Sequence, residues 1–461
     1  MAAQTSALAC LRPQSWLSTE KLFDKRACLL ECFHITRHFL GLDSCVLCAA
    51  HYIVPGDRRL DKPLLYSALR KVVQLHTALG VHVIGESSQT QICFARLQAI
   101  DLAEVVEFSD SDDLRLTFED QFIKPFNTTG CVPLWRVVVL KNNIVCFAWH
   151  HCIGDGLSGL AFHRALLAAL HEPEVIDDRA EVHLSDAALI PAIETVMDVS
   201  PSWGLFMREI YYIFAPVSWT PRALAWTGNA VAVDSTLKTH VRVINFPSQI
   251  ATKFSTLCRS NNATLTGALY TLAVSVLSGI ILASENVTQK TISCSIPISL
   301  RGAACISSDV FCDCVSGLSF RPPFQPHFSW AEASKFTTVL RSSPKSGEIV
   351  GMLKYLFGNY ITFFKGKLGS KRQHGLELSN VGLFEGMGGR SPEASSGEWS
   401  IGDMAFAQCD SVVGPALKMC VVGSPAGGIG ITVTWGEGSV ENSIAESFVS
   451  GLERGFMILL V

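Results

Sequence analysis

The chain has 461 residues, more than one core usually supports, so two lobes are expected. Its 37 basic and 41 acidic residues leave a formal net charge of -4, which offers no electrostatic footprint for nucleic acid. Charged residues are only 17 % of the chain and mean hydropathy is +0.30, so a large buried interior or an apolar tunnel is expected.

The start Met-Ala-Ala-Gln-Thr-Ser-Ala-Leu has no basic segment ahead of an apolar one. No secretory leader is expected, and the sixteen scattered cysteines read as reduced thiols in the cytosol. Cys28, Cys32, His34, Cys45, Cys48 and His51 look like a zinc cluster, but Cys45 and Cys48 lie in a β-prone run. On a strand, residues three apart face opposite ways, so these cysteines read as small hydrophobes and no metal is expected. Over 60–82, Leu65, Leu69, Val72, Val73 and His76 recur at helical spacing, predicting a helix with one face on a sheet. The runs 137–140 and 144–149 read as a hairpin joined through Lys141-Asn142-Asn143.

Two histidines then close an apolar run in Ala148-Trp149-His150-His151-Cys152-Ile153-Gly154-Asp155-Gly156-Leu157. A strand before and a Leu- and Ala-rich helix over 157–171 predict strand, tight turn, helix. Alternation along a strand points His150 and His151 to opposite faces, so they have different jobs. That counts against one shared metal ion and suits a single general base, since neutral imidazole takes up and returns a proton near pH 7.

The stretch 198–226 lacks clear periodicity and reads as a crossing between lobes. After it, 240–246 reads as a strand, 248–260 as a helix, and 265–283 as an uncharged helix. Its length raises a membrane span, but Thr266, Gly267, Thr271, Ser275, Ser278 and Gly279 interrupt it without a flanking basic cluster. A buried core helix is expected, with membrane contact not favoured. A strand over 291–298 ends in Ser299-Leu300-Arg301, and a buried Asp155 would need a partner such as Arg301. Cys312 and Cys314 read as strand residues near a tunnel mouth, and 386–397 as a surface loop. Strands over 417–422 and 429–435 precede a closing helix over 445–459.

The string His150-His151-x-x-x-Asp155-Gly156 resembles the signature of the CoA-dependent acyltransferase superfamily. That superfamily includes chloramphenicol acetyltransferase, the plant BAHD enzymes, peptide-synthetase condensation domains and the fungal alcohol acetyltransferases. Pro133-Leu134-Trp135-Arg136, Ser299-Leu300-Arg301 and Ser379-Asn380-Val381-Gly382 follow the family's order, and the overall pattern looks closest to the fungal alcohol acetyltransferases. Ser299 replaces the family's usual Asn, and Trp435-Gly436-Glu437-Gly438 only faintly echoes the BAHD Asp-Phe-Gly-Trp-Gly string.

The resemblance implies an α/β fold of two similar lobes, each a mixed sheet covered by helices, with a tunnel between them. The lobes are placed at 1–197 and 240–461, joined by a crossover over 198–239. It implies His151 as base, Asp155 as its structural support paired with Arg301, and His150 and Gly156 as supporting residues. Asn380 and Ser379 are oxyanion or channel candidates, as is Trp435, for which a core role is favoured. Lys365, Lys367, Lys371 and Arg372 are candidates for the phosphates of CoA. The expected reaction is acyl transfer, with acetyl favoured, from acyl-CoA as co-substrate to the hydroxyl of a small hydrophobic alcohol, with no bound cofactor. A carrier-protein thioester as donor, giving an ester or amide, and a silent scaffold protein are the alternatives.

Overall fold

Short apolar runs build two main sheets, each buried by helices. The computed structural model describes residues 25–461 except 55, 57–58, 88–90, 173–178, 185–186, 235, 285–286, 344–345 and 386–397, so the loop expected over 386–397 lies outside the described residues. Helix α1 (Leu29–Phe39) precedes strand β1 (Val46–Ile53) and helix α2 (Lys62–Leu75). Strands β2 (Val106–Phe108), β3 (Trp135–Val139) and β4 (Ile144–Trp149) follow, then helix α3 (Gly156–His171). The first sheet runs β1, β4, β3, β2, with a fifth strand, Ser400–Gln408, on the free side of β1.

Strand β4 is central, and Val145, Cys146, Phe147, Ala148 and Trp149 are each at most 1 % exposed. A strand covered on both faces reads as a continuous apolar run, as this one does. Helix α3 lies close on it: Phe162 stacks on Phe147 at 3.8 Å, and a Cβ at Gly159 would fall 2.6 Å from the Trp149 ring. Helix α2 begins where Asp61 accepts from the Leu64 amide and stops at Leu75, short of the predicted span. The β-branched Val81 and Val83 beyond it pair instead with the strand Cys93–Arg96.

The crossing segment holds a helix that its sequence did not reveal, α4 (Trp203–Phe214), with Trp203, Met207, Tyr211 and Phe214 exposed along it. Strand β5 (Thr239–Phe246), helix α5 (Ser248–Ser260) and helix α6 (Leu265–Leu282) come next. They are followed by β6 (Cys294–Ser299), β7 (Val315–Phe320), β8 (Leu376–Leu383), β9 (Ser400–Gln408), β10 (Leu417–Gly423), β11 (Ile429–Gly436) and helix α7 (Asn442–Ile458). The second sheet has the order β5, β11, β10, β8, β6, β7 and mixes parallel with antiparallel pairs. Helix α6 has the length and composition of a membrane span, yet 67 % of it is buried, packed against α7 and the helix Trp330–Ser342.

Strand β9 belongs to the second half of the chain but pairs antiparallel with β1, Gln408 opposite Val46, completing the first sheet. Fourteen of the described cysteines are free thiols.

Candidate active site

Strand β4 ends at Trp149, and His151 opens a single 3-10 turn, His151–Ile153, before α3. Strand alternation therefore does not set the two histidines apart; the turn does. His150 is 1 % exposed, and its Nδ1 accepts the Cys152 amide at 3.1 Å. Burial holds it well below the usual histidine range, and His38 lies beside it with ring centroids 4.5 Å apart. His151 keeps 17 % of its side chain exposed and lines a cavity of about 620 Å³ bounded by residues of both halves.

Asp155 caps α3, its Oδ1 accepting from the Leu157 and Ser158 amides. Arg301, just past β6, closes on the same carboxylate with both arms, Nε to Oδ2 at 3.0 Å and Nη2 to Oδ1 at 2.7 Å. Arg301 also donates to the carbonyls of Ser307, Val310 and Cys312, and so gathers the loop that precedes β7. Asp155 grips that loop directly: its amide donates to Cys312 O at 3.0 Å and its Oδ2 accepts from Cys314 N at 3.3 Å. Cys312 and Cys314 are thus loop residues, not strand residues, and Asp313 stands between them. Gly156 opens α3 where a Cβ would fall 2.7 Å from Val381 and 2.9 Å from Phe406.

The cavity wall includes His151, Asp155, Gly156, Ser379, Asn380 and Lys367. The amide of Asn380 donates to Thr266 Oγ1 at 3.0 Å and accepts from Gly382 N at 2.9 Å, which fixes its orientation on β8. Lys367 lies 4.4 Å from the Phe363 ring; burial and the nearby Arg222 lower its pKa to about 8. The other candidate residues are elsewhere. Lys365 is exposed, Lys371 donates to the Arg222 and Ala223 carbonyls, and Arg372 is 3 % exposed with its guanidinium on the carbonyls of Asn229, Val412 and Gly414. Trp435 does not line this cavity. It is 1 % exposed, donates to Asn442 Oδ1 at 2.8 Å and stacks with His240, in a core position.

Two residues at the site were given no catalytic role from the sequence. His34 of α1 stacks on His151, centroids 3.8 Å apart and planes 5° from parallel. Asp313 Oδ2 is 3.2 Å from His34 Nε2 and 3.9 Å from His151 Nδ1. Burial lowers His34 well below the usual range and His151 to about 4, and raises Asp313 to about 7. Ligand atoms of these three lie within 4.8 Å of one another. Two rings stacked 3.8 Å apart cannot both aim an in-plane lone pair at one ion, so the arrangement suits proton transfer better than metal binding. The visible signal for His34 was His34, Arg37 and His38 on one face of an apolar helix; for Asp313 it was one carboxylate in the otherwise apolar run Val310-Phe311-Cys312-Asp313-Cys314-Val315.

Residues 120–456 match the alcohol acetyltransferase family. FCK4 of Fusarium pseudograminearum, named a probable alcohol acetyltransferase, is 24 % identical over 424 residues, covering 84 % of each chain. The crmB protein of Aspergillus fumigatus, named likewise, is 24 % identical over 472 residues, covering 91 % of this chain and 96 % of its own. Among solved structures, the TRI3 trichothecene 15-O-acetyltransferase of Fusarium sporotrichioides superposes with a TM-score of 0.71 at 10 % identity, covering 98 % of each chain. The first condensation domain of the CDA synthetase gives 0.58 at 15 % identity, covering 95 % of each. These structural likenesses establish the two-lobed acyltransferase fold. The family match spans the His150 to Gly156 turn, Arg301 and the strands around the cavity, and on that extent the chain belongs to the alcohol acetyltransferase family.

Proposed function

We propose that this acyltransferase moves an acyl group, acetyl in the first instance, from acyl-CoA directly to the hydroxyl of a small hydrophobic alcohol, with His151 as general base. One observation carries the reading: of the two motif histidines, His151 is the one open to the cavity, while Asp155 and Arg301 hold the turn that bears it. His151 takes the hydroxyl proton as the oxygen attacks the thioester carbonyl. The C–S bond then breaks, and the imidazolium returns the proton to the departing thiolate.

General-base help of this kind is worth on the order of 10²–10⁴ in rate, and holding both substrates in one cavity supplies much of the rest. Asn380, with its amide fixed on the cavity wall, is the proposed donor to the oxyanion, with Ser379 beside it. Lys367 is the one basic candidate on that wall and is proposed to meet a phosphate of CoA. The relatives' names support acetyl and hydroxyl as the two partners.

The test is to incubate the protein with acetyl-CoA and a panel of hydrophobic alcohols, following free thiol and ester mass, with His151→Ala in parallel. Acceptor-dependent thiol release that the substitution abolishes is expected. Full activity in a folded His151→Ala protein would overturn the general-base role, and activity only with a carrier-bound thioester would replace CoA as donor.

A further inference from the structure

In the motif, Asp155 does not face the base; its carboxylate is fully engaged by Arg301 and the start of α3. The carboxylate that faces His151 is Asp313, 3.9 Å from Nδ1, and its side chain is completely buried. Both Asp313 oxygens and His151 Nδ1 lack a hydrogen-bond partner in the protein's present geometry. Buried polar atoms left open in this way call for an explanation, and a catalytic role is one. Hydrogen bonds of a catalytic group are often long before substrate arrives and tighten as charge develops.

We propose that Asp313 is the positioning residue of the base: its carboxylate accepts a hydrogen bond from the Nδ1–H of His151, leaving Nε2 as the atom that takes the hydroxyl proton. This rests on His151 being the base. His34, stacked on His151, brings its Nε2 within 3.2 Å of the same Asp313 oxygen. The proposal also gives the Asp155 and Arg301 pair a definite task. Asp155 bonds the backbone of Cys312 and of Cys314, the two neighbours of Asp313, so the pair sets where the Asp313 carboxylate stands.

The charges around this group come from several elements. His34 and Arg37 face it from α1, His151 from the turn, and Asp155 and Arg301 from the clamp; Asp43, Lys418, His38 and His150 lie further out. Burial keeps the unliganded site close to neutral, with His151 down to about 4 and Asp313 up to about 7. An ionised Asp313 then stabilises the imidazolium formed when the hydroxyl proton arrives, the role an orienting carboxylate plays for a catalytic histidine. The two groups titrate as a pair.

The test compares kcat against pH for the wild type, Asp313→Asn and His151→Ala. The wild type is expected to gain activity as pH rises through about 7. Asp313→Asn should lose that limb and lower the plateau by on the order of 10²–10⁴, with KM values little changed. If Asp313→Asn keeps the wild-type plateau and profile while His151→Ala is inactive, this inference falls and the general-base reading stands. If His151→Ala is itself active, the base is elsewhere and both fall. Should Asp313→Asn not fold, nitrogen NMR of the wild-type histidines decides: His151 protonated on Nδ1 is expected, and protonation on Nε2 overturns the proposal.

Discussion

Arg301 holds both carboxylate oxygens of Asp155 across 146 residues of sequence, and both side chains are at most 4 % exposed. Removing one member strands the other without water. Asp155→Ala is therefore expected to cost about 3–5 kcal/mol in urea unfolding, with loss of acyl transfer. Arg301→Met, which leaves Asp155 bare, should cost a comparable amount, and the double substitution should cost less than the sum. Additive losses would show that the two side chains act separately.

The basic candidates separate into a cavity residue and a structural one. Lys367→Ala is expected to raise the KM for acyl-CoA about tenfold, the loss of one charge-assisted contact, with kcat kept. Arg372→Ala should instead lower stability by about 1–3 kcal/mol, because the buried Val412 carbonyl and the part-buried carbonyls of Asn229 and Gly414 lose their donor. Steady-state kinetics beside thermal melts distinguish the two, and a KM effect confined to Arg372 would reverse the assignment.

Acid should destabilise the protein well before its exposed carboxylates titrate. Burial holds eight histidines (His34, His38, His76, His82, His150, His151, His163 and His374) below their usual range. The unfolded chain protonates them near pH 6.5. Below that, the unfolded state binds the extra protons, so stability present above about 6.5 is lost as pH falls toward about 4. Three buried carboxyls, Glu31, Asp313 and Asp410, and the half-buried Glu86 are raised and act in the opposite sense, gaining stability as pH falls. The histidines outnumber them, and each net proton contributes a slope of about 1.4 kcal/mol per pH unit. The Tm at pH 5 is expected to lie below that at pH 7.5; an equal or higher value would contradict the balance.

Gly156 is where the motif helix meets both β8 and β9. A methyl group there would overlap Val381 and Phe406, so Gly156→Ala should cost about 1–3 kcal/mol and reduce kcat by moving the turn that bears His151. An unchanged melt with unchanged kcat would mean that the strands yield without cost.

The motif turn was legible because strand, turn and helix are adjacent in sequence and their residue types are restrictive. The Asp155 and Arg301 pair was legible for a different reason: a buried carboxylate demands a cation, and the family resemblance of Ser299-Leu300-Arg301 pointed to which one. His34 and Asp313 were not, since their meaning arises only when α1 and the loop before β7 converge on one imidazole. The spacing of His34 from the surrounding cysteines even suggested a different chemistry. Helix α4 escaped because its apolar side faces outward, and the aromatic content that obscured its period is the part left exposed. Lys371 and Arg372 read as a surface cluster, yet backbone carbonyls from distant loops enclose them.

Strand β9 has a consequence for how the protein is made. The first sheet gains its last strand only after residue 408 has left the ribosome, long after β1 to β4 have been synthesised. Until then the outer edge of β1 exposes unpaired amides and carbonyls, the kind of edge on which neighbouring chains aggregate. A truncated message ending between the two halves would yield a product fixed in that open state. The first half thus depends on the second as a client depends on a chaperone's donated strand, and expression yield should be sensitive to conditions that slow translation of the middle of the chain.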